Sequence, residues 1–134
     1  MLTGPRVILT LQVAVLVVTL ILVAALVALA YGRFRLHGRL NLAFFVLTLA
    51  AVLGLEVLIR FVDPGVFEYI HSREELRQGL RTHLCFAVPA LILMPLMLYT
   101  GLTHRRGLHL SLACLFGIAW LGTVWTGLFF LPTQ

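Results

Sequence analysis

The stretch VILTLQVAVLVVTLILVAALVALAYG, from Val7 to Gly32, decides the fold, because its 26 consecutive residues carry no charge. At 1.5 Å per residue it makes about 39 Å of helix, more than the roughly 30 Å of hydrocarbon in a bilayer. It is too long for the apolar region of a secretory signal, which runs about 7–15 residues. Ala28-Leu29-Ala30 is only a weak cleavage-like pattern, so the stretch is read as an uncleaved helix. Three further apolar stretches run from about Leu40 to Ile59, Thr82 to Leu102 and Leu108 to Leu131. Each is close to the roughly 20 residues that a spanning helix needs.

The expectation is an all-α chain, a four-helix transmembrane bundle filling residues 1–134 as one membrane domain, with both ends on one face. Composition agrees: 61% of residues are hydrophobic and 11% charged, whereas soluble domains are about 25% charged. Short connections then force neighbouring helices to run antiparallel.

All ten basic residues are arginine, against five acidic residues. Arg33, Arg35 and Arg39 follow the first span, and Arg105 and Arg106 lie between the third and fourth. Arg6, Arg60, Arg73, Arg77 and Arg81 belong to the opposite face, mixed with Asp63, Glu68, Glu74 and Glu75. Orientation follows basic residues in short loops, so the denser, unopposed loops predict a cytoplasmic face there in a multi-pass membrane protein. The arginines fit topology, and no nucleic-acid-binding motif accompanies them, so nucleic acid is not expected as a partner. Membrane lipids and another membrane protein are.

Between spans two and three, Asp63-Pro64-Gly65 signals a turn, and Ser72 with Glu75 has capping-box spacing. This predicts either a short surface helix from about Arg73 to Arg81, resting on Leu76 and Leu80, or a solvated connector. Ala50 with Gly54 and Ala113 with Gly117 have small-xxx-small spacing, suited to packing within the chain or against another subunit. Pro89 and Pro95 predict a bend in span three. Cys85 and Cys114 fall at opposite ends of the bundle, too far apart for a disulfide, and are read as core filling.

Glu56 is the most telling single residue, since a carboxylate inside a span is expensive unless paired. Arg60, four residues on, shares its helical face. Five histidines add candidate ligands, because imidazole binds haem iron, copper or zinc. His37, His104 and His109 fall toward the arginine-rich face, His71 and His83 toward the other. The cofactor-binding candidates are therefore His37, His83 and His109, and Glu56, His71 and His83 form a candidate metal set. No HExxH or CxxCH signature fixes the chemistry and no catalytic set stands out, so whether the chain is an enzyme stays open.

The last span reads His109-Leu-Ser-Leu-Ala-Cys-Leu-Phe-Gly-Ile-Ala-Trp120, then Leu-Gly-Thr-Val-Trp-Thr126-Gly127. This resembles the bacterial membrane family catalogued as domain of unknown function 420, which includes assembly factors for haem-copper cytochrome oxidase. His109, Trp120, Thr126 and Gly127 match its final-helix pattern, His83 its histidine at the head of the preceding helix, and His37 the histidine before another span. The likeness covers about Gly32 to Leu131. Where the family commonly places a further histidine, this chain has Glu56 and Arg60. The resemblance implies an accessory or assembly factor for a respiratory oxidase, with haem or copper as the implied cofactor. A small b-type haem redox protein and a structural subunit of another membrane complex are the alternatives. A transporter is disfavoured, since no repeated translocation motif is evident.

Overall fold

The computed structural model describes residues 2–133. The fold is all-α: α1 (Gly4–Ala30), α2 (Phe34–Val57), α3 (Glu68–His71), α4 (Glu74–Leu102) and α5 (Arg106–Phe129). A π-helical turn, Leu58–Val62, prolongs α2. Four helices, Gly4–Ala30, Phe34–Val62, Glu74–Leu102 and Arg106–Phe129, are long and apolar enough to cross a membrane. Their outward faces carry large apolar side chains such as Leu20, Ile118 and Leu121, each about two-thirds exposed or more. A multi-pass membrane protein is consistent with such faces, because lipid rather than water can cover them.

The helices pair as two antiparallel hairpins, α1 with α2 and α4 with α5, which meet where α1 faces α5 and α2 faces α4. Both hairpins turn the same way. Gly32, with φ of +70°, ends α1; its amide donates to Leu29 O at 3.0 Å and that of Arg33 to Ala28 O at 2.8 Å. At the end of α4, His104 takes the left-handed position with φ of 55°. Its amide donates to Gly101 O at 3.3 Å and that of Arg105 to Thr100 O at 3.0 Å. These are two Schellman turns, which satisfy carbonyls that a helix end leaves open.

The likeness extends along both helices. Gly32 and His104, Arg33 and Arg105, Leu36 and Leu108, His37 and His109, and Phe44 and Phe116 are each 72 residues apart. An operation exchanging the hairpins carries the α1/α5 seam onto the α4/α2 seam, so the bundle has a pseudo-twofold arrangement. Phe44 and Phe116, equivalent by this register, touch edge to face with centroids 5.9 Å apart. Trp120 packs on both rings, at 4.9 Å and 5.8 Å. With Val18, Ala90, Met94, Met97 and Ala119 they form the core.

Several local expectations are corrected. The short helix lies at Glu68–His71, and residues 74–81 form the first turns of α4. The Ser72 hydroxyl donates to Tyr69 O at 2.8 Å instead of capping. Extended Arg73 is the N-cap, and Glu74 and Glu75 supply negative charge to the helix start. Glu74 pairs with Arg77. Pro89 and Pro95 both lie inside α4, which stays helical from Glu74 to Leu102; that continuity is compatible with the bend expected there. Cys85 and Cys114 are exposed, because Phe86, Ala90 and Met94 on α4 and Phe116, Ala119 and Trp120 on α5 set the inward faces. Gly54 and Gly117 face open space, whereas Gly122 lies against the Phe86 ring and Gly4 against Tyr69 and the Val66 carbonyl. Close approach therefore occurs at glycines outside the small-xxx-small pairs.

Candidate functional site

His83 points from α4 into α5. The Thr126 hydroxyl donates to Gly122 O at 2.7 Å, so it accepts from His83 Nδ1–H at 2.9 Å. Gly127 makes room: a Cβ there would lie 3.2 Å from His83 Cε1. The amide of Gln12, on α1, donates to Gly127 O at 2.9 Å and reaches Leu131 O at 3.3 Å. His83 thus meets α5 at the end that α1 also grips. The Thr126 hydroxyl's own bond to Gly122 O makes Nδ1 the donor, and the Thr123 backbone also hydrogen-bonds the ring.

His37 and His109 make a different, shared contact. His37 Nδ1–H donates to Ala25 O at 2.8 Å, and His109 Nδ1–H to Met97 O at 2.8 Å, each acceptor 12 residues upstream across the hairpin turn. Asn41 Nδ2 donates to His37 Nε2 at 3.0 Å, which uses both of that ring's nitrogens. Thr100 Oγ1 lies 3.4 Å from His109 Nδ1. A contact repeated in both hairpins closes each hairpin near its turn. His83 has no such counterpart, since the matching position on α1 is Leu11; it is where the two halves depart from each other in chemistry.

Glu56 accepts from Arg60 Nε at 2.6 Å on the outward face, with the side chains 45% and 68% exposed respectively. Arg60 and His71 line an open groove of about 570 Å³ with Glu68, Phe67 and Pro64. The structure therefore brings Glu56, Arg60 and His71 to one end of the bundle. His83 is turned away into α5. Among the described residues no three His, Cys, Asp or Glu side chains converge to hold a metal ion, so Glu56, His71 and His83 do not form a three-donor set. His104 serves the turn through its backbone, and its side chain is exposed. His83 and His109 lie at opposite ends of the α4/α5 hairpin, so the two imidazoles do not face one shared ligand.

Sequence reading passed over Gln12, Thr19 and Asn41. Thr19 Oγ1 accepts from Trp120 Nε1 at 3.1 Å, which stitches α1 to α5 beside the aromatic core. Polar residues in mid-span were the available signal, since in lipid such groups seek partners on other helices. No family model, curated protein or solved structure matches this chain.

Proposed function

We propose that this protein is an accessory or assembly factor for a haem-copper respiratory oxidase in the bacterial cytoplasmic membrane. The observation behind the reading is the His83–Thr126 contact over Gly127. Three positions of the resemblance to the family of unknown function 420, sparse in sequence, are mutual neighbours across α4 and α5. Trp120 and His109 of the same pattern also make cross-helix hydrogen bonds. A closed metal centre does not fit the donor set. A single imidazole does fit a haem or copper cargo that a partner subunit completes, because metal-bound histidines usually anchor the other ring nitrogen as His83 is anchored. The chain's own residues supply position: Thr126 fixes the ring, Gly127 clears its space, and Gln12 holds that end of α5.

Deletion of the gene is expected to reduce assembled oxidase while its subunits are still synthesised. His83→Ala, if present at normal abundance, is expected not to restore assembly, whereas Arg73→Gln should restore it. Normal oxidase content in the deletion strain would reject the reading. Full rescue by His83→Ala would reject His83 as its centre.

A further inference from the structure

We propose that the end of the bundle formed by the two hairpin turns is a binding surface for the phosphates of anionic phospholipids. The five acidic residues, Glu56, Asp63, Glu68, Glu74 and Glu75, all fall between α2's last turns and α4's first. Arg6, Arg60, Arg73, Arg77 and Arg81 share that end and balance them in number. The formal net charge of +5 therefore resides entirely at the other end, on Arg33, Arg35, Arg39, Arg105 and Arg106. All five are exposed. Among the described residues both ion pairs, Glu56–Arg60 and Glu74–Arg77, lie at the balanced end.

Geometry selects lipid as the partner. The turns leave only residues 31–33 and 103–105 outside the helices, so the guanidinium groups stay within a turn or two of the apolar spans. They cannot reach far into the aqueous phase, and phosphate is the anion found at that depth. Tyr31, Phe34 and Tyr99 at this end are 80%, 64% and 60% exposed, which suits the aromatic belt at a headgroup layer. The Schellman turns fix the backbone of Arg33 and Arg105, and the pseudo-twofold arrangement presents this pair as equivalents. Each guanidinium sets a permanent positive charge against the phosphates of the headgroup layer. This surface owes nothing to the oxidase reading, and either can fail alone.

The test uses the purified full chain reconstituted in equal phosphatidylglycerol and phosphatidylcholine, re-extracted in mild detergent, with bound lipid counted by native mass spectrometry. Phosphatidylglycerol should be enriched. Each arginine removed should lower the enrichment by up to about fivefold at low ionic strength. The fourfold change Arg33→Gln, Arg35→Gln, Arg105→Gln and Arg106→Gln should abolish it. The corresponding fourfold lysine variant should retain it, which separates charge from misfolding. Arg73→Gln with Arg81→Gln, at the balanced end, should leave it unchanged. Equal retention of the two lipids by the unaltered chain would overturn the proposal. So would enrichment that survives the glutamine variant, loss in the lysine variant, or equal loss in the Arg73/Arg81 control. Displacement of the lipid by inorganic phosphate at matched ionic strength would assign the site to free anions and overturn it too.

Discussion

His37 and His109 do the same work in two places: each donates its Nδ1 proton, at 2.8 Å, to a carbonyl 12 residues upstream in the partner helix of its own hairpin. His37→Ala and His109→Ala should therefore each cost about 0.5–1.5 kcal/mol. The losses should add in the double variant, because the two contacts share no partner. Unfolding in mixed micelles, followed by circular dichroism, measures this. A loss confined to one hairpin would refute the equivalence.

Equivalence also explains a buried hydroxyl. Thr48 occupies the register position of Trp120, and Leu91 that of Thr19, so the α2/α4 seam repeats the α1/α5 seam without its hydrogen bond. Thr48 Oγ1 is buried and has no partner. Thr48→Val should be neutral or stabilising by up to about 1 kcal/mol, whereas Thr19→Val, which orphans the Trp120 indole, should cost about 1 kcal/mol. The same micelle titration distinguishes them.

Two classes of glycine should behave differently on substitution by alanine. At Gly122 the new methyl would lie 2.1 Å from Phe86 Cδ1, and at Gly4 it would lie 2.4 Å from the Val66 carbonyl oxygen. Each should cost about 1–3 kcal/mol. Gly54→Ala and Gly117→Ala meet nothing within 4 Å and should fall within about 0.5 kcal/mol of the unaltered chain. Thermal stability of the four variants in one detergent is the check.

His104 stands where glycine is preferred, at φ of 55°. His104→Gly should stabilise the chain by up to about 1 kcal/mol, by relieving the left-handed backbone. It should leave oxidase assembly unchanged if His104 serves only the turn. A fall in stability would contradict that role.

The Tyr69 hydroxyl, in the connection that covers Gly4, is shielded and unpartnered. Desolvation raises its pKa above the ordinary value near 10. The unfolded chain then loses its proton first, so stability is full below about pH 10 and falls as pH rises through the folded-state value. Tyr69→Phe should remove that alkaline loss, which a stability profile from pH 8 to 12 would show.

Four apolar helices were legible in the sequence because a hydrocarbon-length run without charge has few other uses, as Val7–Gly32 illustrates. Pairing of Glu56 with Arg60 was legible because it is local. Helix starts were not: Ser72 has capping-box spacing, but its hydroxyl found the Tyr69 carbonyl nearer. Inward faces were not legible in helices apolar all round, so Cys85 was misplaced, and Gly54 makes no close approach within the chain. The repeated hairpin shows in the sequence as Arg33-x-x-Leu36-His37 and Arg105-x-x-Leu108-His109 with Phe44 and Phe116, too sparse to mark a repeat without the two turns and their matching histidine contacts. The partners of His83 depended on which helices meet, information that no single span carries.

Gln12 binds the carbonyls at the far end of the chain, Gly127 and Leu131 among them. The amide of Gln12 on α1 therefore finds these acceptors only once α5 has packed against it. A variant in which α5 cannot pack against α1 leaves that amide without them. Seating of α1 and docking of α5 are thereby coupled through one side chain.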